Sequence, residues 1–435
     1  MRSFEKVIED IDGETDSIIE LAQSLIKKPS VVGHEGKCQK FIINILEEIG
    51  LKVIAQEPEI DLISKHPEFS SWSGFEDENV QGYKNRPNVV GFLTGKGGGK
   101  SLILNGHIDV VPVLRPEDWS YDPWGACIVG DKLFGRGALD MKGGIAAMIM
   151  AVKYIMKNDI HLKGDLIVES VVDEEGGGNG TLDCFLRGYS GDAVFYPEPS
   201  QITGAGAYWF VCGGLEGFRI RIFGKSGHPR VSFGKSVNSV IETTKIIKAI
   251  EEFNHFRKNE CKGSVDPEVA HLYDNVGKEG MVSIGSIRAG RWFSVMPDEC
   301  ILEGAIWYYP GEDIEKIKRD FINYIENCDL ELNDRPPVVE WMGTHISPDR
   351  PVSDERFLKI THECVEKVMN MKPNPKGMLG GSDQRIFSNY AKIPTFEFGP
   401  SGGNIHANDE FVYIPSLIDV TKIITLTILN WCGVY

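Results

Sequence analysis

The 435-residue sequence contains no Cys-x-x-Cys pair, no internal repeat and no low-complexity tract. Its nine cysteines are scattered and odd in number, which predicts neither a disulfide framework nor a zinc ribbon. Positive charge is also scarce: 46 basic residues against 63 acidic ones leave a formal net charge of −17. That balance excludes non-specific attraction to nucleic acid or to an anionic membrane. The sequence has no uninterrupted apolar run of about 18 residues, the length that reads as a membrane span. Its acidic opening, Met1 to Glu14, has no apolar signal core. The expectation is a cytoplasmic protein with no membrane or nucleic-acid partner.

What is present is ordinary globular material, 42% hydrophobic and 25% charged, in a chain long enough for two or three domains. Amphipathic helices are expected at Asp16–Ser30 and from Cys38 to Gly50, the second running into a strand, and a polar, irregular surface insertion between Glu57 and Pro87. Near-continuous apolar strands such as "SLILNGHIDV" and "GDLIVESVVD" then alternate with helices such as "MKGGIAAMIMAVKYIMK". That alternation predicts an α/β fold, a mostly parallel sheet covered on both faces. After Cys212 the texture changes. "GFRIRIFGKSG" alternates strictly, and the elements that follow read β-α-β-β-α-β, the split two-layer motif. From about Ser347 the α/β pattern returns. The predicted organisation is a catalytic domain in two parts, 1–212 and 347–435, interrupted by an inserted α+β domain at 213–346.

Five features carry chemistry. In "LNGHIDVVP", His107 and Asp109 lie two positions apart in an extended segment and point to one face. In "GRGALDMKGG", Asp140 stands just before a long helix, where an N-cap is the ordinary use of an aspartate. A dinucleotide reading of that glycine-rich turn fails, because a carboxylate at Asp140 repels a pyrophosphate. "DEEGGG" puts Asp173, Glu174 and Glu175 side by side; without a cation, one of them must be protonated or turned to solvent. Glu198 is held between two prolines in "FYPEPS", and His406 lies in the glycine-rich loop "GGNIHANDE". Each has a bland reading alone. Together, His107, Asp140, Glu175, Glu198 and His406 make five ligands. If Asp140 bridges, two metals each have three protein ligands and a shared water, the open coordination of a hydrolytic site. Asp109 is then left to accept the other N–H of His107, and Glu174 to take the water's proton.

"GHIDVVP", "GRGALDMKGG", "DEEGGG", "EPS" and "GGSDQRIF…IPTFEFGPSGGNIHANDE" resemble, in order, the signatures of the M20 metallopeptidase family. That family includes acetylornithine deacetylases, succinyl-diaminopimelate desuccinylases, aminoacylases and glutamate carboxypeptidases. The resemblance implies a two-zinc aminopeptidase-like catalytic domain, with cobalt or manganese as exchangeable substitutes, and an inserted dimerisation domain. It implies His107, Asp140 and Glu198 on one metal, Asp140, Glu175 and His406 on the other, and Glu174 as general base. It also implies a homodimer in which His228 stabilises the oxyanion in the neighbouring subunit's site. Ser382 and Arg385 match positions that hold a substrate carboxylate in relatives. Two positions depart from the family: Ser294 replaces an asparagine and Trp307 an arginine, which removes a carboxylate fork and offers a stacking face. The implied reaction is hydrolysis of an N-acyl amide on a small molecule, in the first place an N-acyl amino acid. The departures keep a second reading open, a deformylase or amidohydrolase acting on an aromatic or heterocyclic amine. A third is a non-catalytic binding protein on the same scaffold.

Overall fold

The computed structural model describes residues 2–71, 82–232, 234–274, 276, 281–331 and 334–435. The central part of the insertion expected between Glu57 and Pro87 therefore lies outside the described residues. The chain divides into two compact units: Met1–Phe210 with Asp349–Lys376 and Ser382–Tyr435, and Val211–Pro348 with Gly377–Gly381.

The first unit is built on an eight-stranded sheet. Its spatial order is Lys52–Gln56, Asn88–Leu93, Leu166–Val171, Leu102–His107, Val194–Tyr196, Thr395–Glu397, Ala207–Cys212 and Asn374–Met378. The four strands from Leu166–Val171 to Thr395–Glu397 run parallel. Antiparallel pairing begins outside them, at Asn88–Leu93 and at Ala207–Cys212. Every residue of Leu102–His107 and Leu166–Val171 is buried, as continuous apolar runs in a doubly covered sheet require. Functional residues in such folds collect where parallel strands end, and His107 is the last residue of its strand.

The helix Gly143–Lys157 lies in the core. A Cβ on Gly144 would stand 2.2 Å from the Pro197 carbonyl oxygen, so the glycine lets the helix start against the strand end that carries Glu198. One helix among the described residues, Ile414–Cys432, is long and apolar enough to cross a membrane, which corrects the expectation that no such segment exists. The structure gives its apolar surface another use: it packs on Gly143–Lys157 and Glu355–Met369. A second, four-stranded antiparallel sheet joins Gly402–Gly403, Phe411–Tyr413, Lys132–Phe134 and Cys127–Val129.

The second unit contains Gly214–Phe223, Ser239–Glu260, Val282–Ala289, Glu299–Tyr308, Ile314–Glu326 and Val338–Ile346 in β-α-β-β-α-β succession. Its antiparallel sheet has the order Val282–Ala289, Glu299–Tyr308, Gly214–Phe223, Val338–Ile346. Phe218, Ile220 and Ile222 alternate onto one face and meet Phe253 and Phe321 from the helices. Asn238 and Asp313 cap those helices by accepting backbone N–H groups, each such cap being worth about 1 kcal/mol.

Candidate metal centre

The five residues expected as ligands come together in the first unit. His107 Nε2 lies 3.1 Å from Asp140 Oδ1 and 3.5 Å from Glu198 Oε2. His406 Nε2 lies 3.3 Å from Asp140 Oδ2 and 3.1 Å from Glu175 Oε1. The donors form two groups, His107–Asp140–Glu198 and Asp140–Glu175–His406, within each of which the ligand atoms lie inside 4.8 Å of one another. Asp140 belongs to both and turns one oxygen to each.

Asp140 reaches this place because it is not an N-cap. The helix starts at Gly143 without a side-chain cap, and Asp140 itself is extended at φ −113°, ψ 98°. The loop is held from the far end of the chain. Glu410, buried, accepts hydrogen bonds from Arg136 Nη1 (2.7 Å) and from the N–H groups of Gly137, Leu139 and Asp140 (2.9–3.0 Å). The small sheet brings this about, since Phe411–Tyr413 pairs with Lys132–Phe134. One hairpin thus positions both His406 and the loop of Asp140. No local pattern in the sequence marks Glu410, the last residue of "GGNIHANDE", for this part.

Asp109 takes a different part from the one expected. The nearest acceptor to His107 Nδ1 is the backbone carbonyl of Asp109, at 2.9 Å, while its carboxylate stands 3.7 Å away. That carboxylate accepts the N–H groups of Glu174 (3.2 Å) and Glu175 (3.0 Å), so it fixes the acidic turn, while the Asp109 backbone carbonyl holds the imidazole. Asp173 is neither a ligand nor turned to solvent. It is buried at positive φ, accepts hydrogen bonds from Tyr83 Oη (2.5 Å) and Asn179 Nδ2 (3.1 Å), and lies 3.5 Å from Arg86 Nη2. Three adjacent carboxylates avoid mutual repulsion by pointing to different partners.

The electrostatics call for a cation. Burial, then the charge of Asp140, pushes the Glu198 carboxyl up to about 8, and burial holds Glu174 well above the carboxylate range. Glu175 foremost raises the His406 imidazole to about 11. Glu198 Oε2 is buried with no hydrogen-bond partner among the described residues. An orphaned carboxylate oxygen is costly, and one that faces an imidazole and a second carboxylate is a ready metal ligand. Three carboxylates and two imidazoles suit zinc or a similar divalent ion. The donor set fits a pair of metals.

Ser382 and Arg385 are corrected. Arg385 is 1% exposed. Its Nε donates to Glu68 Oε2 (2.9 Å), Nη1 to the Ser382 carbonyl and Asp383 Oδ1 (3.0 and 3.1 Å), and Nη2 to the Gly177 carbonyl (2.7 Å). A guanidinium so committed has no planar fork left for a substrate carboxylate. Ser382, also buried, donates to Glu397 Oε2 at 2.8 Å. Arg385 instead props the acidic turn. Gly178 has φ +81°, and a Cβ there would lie 2.2 Å from Asp383 Oδ1 and 2.6 Å from Arg385 Nη2, which accounts for a glycine of "DEEGGG". His228, Ser294 and Trp307 belong to the second unit. His228 is exposed on a loop, and Ser294 is half-buried between two strands. Trp307 is half-buried on the sheet face opposite Ile306 and Tyr308.

The model of the family described as peptidase family M20/M25/M40 matches residues 103–430. The N-formyl-4-amino-5-aminomethyl-2-methylpyrimidine deformylase of Bacillus subtilis (strain 168) is 30% identical over 390 residues, 83% of this chain and 86% of that protein. The enzyme of the same name from Halalkalibacterium halodurans is 28% identical over 466 residues, covering 99% of this chain and 97% of that one. Among solved structures, human carnosine dipeptidase 1 has a similar fold, with a TM-score of 0.74, 18% identity and coverage of 99% of both chains.

Proposed function

The chain belongs to peptidase family M20/M25/M40, and from that premise we propose that it is a two-metal deformylase acting on an N-formylated heteroaromatic amine. Metal-dependent hydrolysis of an amide bond is common ground with the family and with the relatives. The proposal lies in the acyl group, the amine and the number of metals. The observation that carries it is Asp140, with one oxygen 3.1 Å from His107 and the other 3.3 Å from His406. Zinc is the metal we assign, with cobalt or manganese able to replace it.

Bound at those positions, the metals would polarise the formyl carbonyl and acidify the attacking water. Glu174 accepts the proton of that water at a carboxylate oxygen as the water oxygen bonds to the formyl carbon. It returns the proton to the amine nitrogen as the C–N bond breaks, leaving formate and the free amine. Asp109 holds Glu174 and Glu175 in place through their backbone N–H groups.

Two facts favour a heteroaromatic amine over an N-acyl amino acid. Relatives that cover most of the chain are named for deformylation of an aminomethylpyrimidine. Arg385, expected to hold an α-carboxylate, is bound up inside the protein. We assign the working form to a homodimer in which His228 serves the partner's site. The nine free cysteines fit a reducing cytosol.

The test is a substrate panel on metal-loaded protein: formyl-, acetyl- and succinyl-derivatives of an aminomethylpyrimidine and of amino acids. The formylated heteroaromatic amine should be hydrolysed with at least about tenfold higher kcat/KM than any N-acyl amino acid, since a site built to hydrogen-bond one group discriminates by that much or more. A preference for the N-acyl amino acids would overturn the substrate assignment while leaving amide hydrolysis intact.

A further inference from the structure

The insertion expected between Glu57 and Pro87 does not lie wholly on the surface. Ser70 near one end, and Tyr83 and Arg86 at the other, are buried, and all three touch the acidic turn that carries Glu174 and Glu175. Ser70 Oγ donates to the Gly176 carbonyl at 3.0 Å. A Cβ on Gly177, at φ +128°, would lie 2.3 Å from Ser70 Cβ, so the serine packs directly on the turn. From the other end, Tyr83 Oη donates to Asp173 Oδ2 at 2.5 Å, and Arg86 Nη2 lies 3.5 Å from Asp173 Oδ1. The two ends meet at Asn179. Its Nδ2 lies 2.8 Å from the Ser70 carbonyl oxygen and 2.8 Å from Tyr83 Oη, and its Oδ1 accepts the Ser70 N–H at 3.1 Å.

Each end is also anchored away from the turn. Arg86 Nε and Nη2 donate to the two carboxylate oxygens of Glu35, both at 2.7 Å. Glu68, two residues before Ser70, accepts Tyr390 Oη at 2.8 Å and Arg385 Nε at 2.9 Å. Asp109 holds Glu174 and Glu175 by their N–H groups, whereas the ends of the insertion hold the residues on either side, Asp173 and Gly176. Asp173 shows what that hold achieves. Its φ is +67°, a left-handed conformation that is costly for an L-residue and persists where the surroundings over-determine it. Tyr83, Arg86 and Asn179 are those surroundings. Glu174 is the next residue, so its direction follows from the conformation of Asp173.

We propose that the two ends of the insertion form a clamp that sets the direction of the general base, with Tyr83 and Ser70 as positioning residues for Glu174. Without the Tyr83 hydroxyl, Asp173 loses its shortest hydrogen bond and its backbone is released toward ordinary φ. Without the Ser70 hydroxyl, the Gly176 carbonyl is released on the other side of the two glutamates.

This inference rests on Glu174 as the base, and a double-mutant cycle separates the two. Tyr83→Phe and Ser70→Ala are each made in wild type and in Glu174→Gln, and kcat and KM are measured at saturating zinc on the best substrate of the panel. Circular dichroism and thermal melting identify the folded variants, and because the substitutions lie at opposite ends of the insertion, either one alone suffices for the test. In wild type each should lower kcat about 10–100-fold, the scale on which small misplacements of a reacting group act, with KM changed less than about twofold. In Glu174→Gln the same substitutions should lower kcat less than about twofold, because residues that act as a unit are not additive. An unchanged kcat in a folded variant, a loss confined to KM, or the full loss repeated in Glu174→Gln would overturn the positioning role. If Glu174→Gln alone keeps the wild-type rate, the base assignment fails in that single variant, and the role of the clamp falls with it.

Discussion

In the mechanism we propose, Glu174 is the base on which the chemistry turns, and its surroundings separate it from its neighbours. Asp173 is occupied by Tyr83 and Asn179, Glu175 faces His406, and neither ligand group includes Glu174. A base that is not a ligand can be removed without removing metal. Glu174→Gln should lower kcat by about 10²–10⁴-fold, the range of general-base contributions, with metal content per chain unchanged by elemental analysis. Metal lost in step with rate would reassign Glu174 to the coordination shell. At this scale the sequence was informative about residue type and blind to direction. The residues His107, Asp140, Glu175, Glu198 and His406 could be grouped from strand ends and loops. That Arg385 turns its guanidinium inward to Glu68, a residue 317 positions away, depends on a contact that no local pattern encodes.

At the scale of elements, the acidic turn is held by parts distant in sequence. Asp109 grips its backbone from one strand end, and Arg385 grips the Gly177 carbonyl from the other side. Arg385 also forms buried ion pairs with Glu68 and Asp383. Replacing it with methionine strands those carboxylates, and breaking a buried pair in this way costs about 3–5 kcal/mol. Arg385→Met should lose that much in urea unfolding and lose turnover of charged and neutral amides alike. Selective loss on carboxylate-bearing substrates would restore Arg385 to substrate binding. The long elements were legible because they carry a period: the buried runs of the sheet and the strict alternation of Gly214–Phe223. The sheet that holds His406 was not, because its strands are only two or three residues long and show no period. Glu410 was hidden for the same reason, since its partners appear only once that sheet forms.

For the whole molecule, the question is assembly. The second unit exposes Val240, Ile241, Ile287, Trp292 and Phe293, apolar area of the kind that a second copy covers. His228, exposed on the same unit, is the oxyanion donor we assign to the partner's site. Loss of such a donor costs about 10²–10³-fold in kcat. His228→Ala and Glu174→Ala should therefore each be nearly inactive alone. Mixed under conditions that exchange subunits, they should regain activity, because one site of the heterodimer has both groups intact. Verified heterodimers that stay inactive would confine His228 to its own chain or to no catalytic part.

The central claim is that Asp140 joins two metal positions, with His107 and Glu198 on one side and Glu175 and His406 on the other. Metal content per chain, measured by elemental analysis after zinc loading and desalting, tests it most directly. Wild type should hold about two zinc ions, and His107→Ala and His406→Ala about one each, since each removes one of three protein ligands from a single position. Asp140→Ala should hold essentially none. An Asp140→Ala protein that folds and keeps one tightly bound zinc, or a wild type that never exceeds one, would contradict the shared-ligand arrangement.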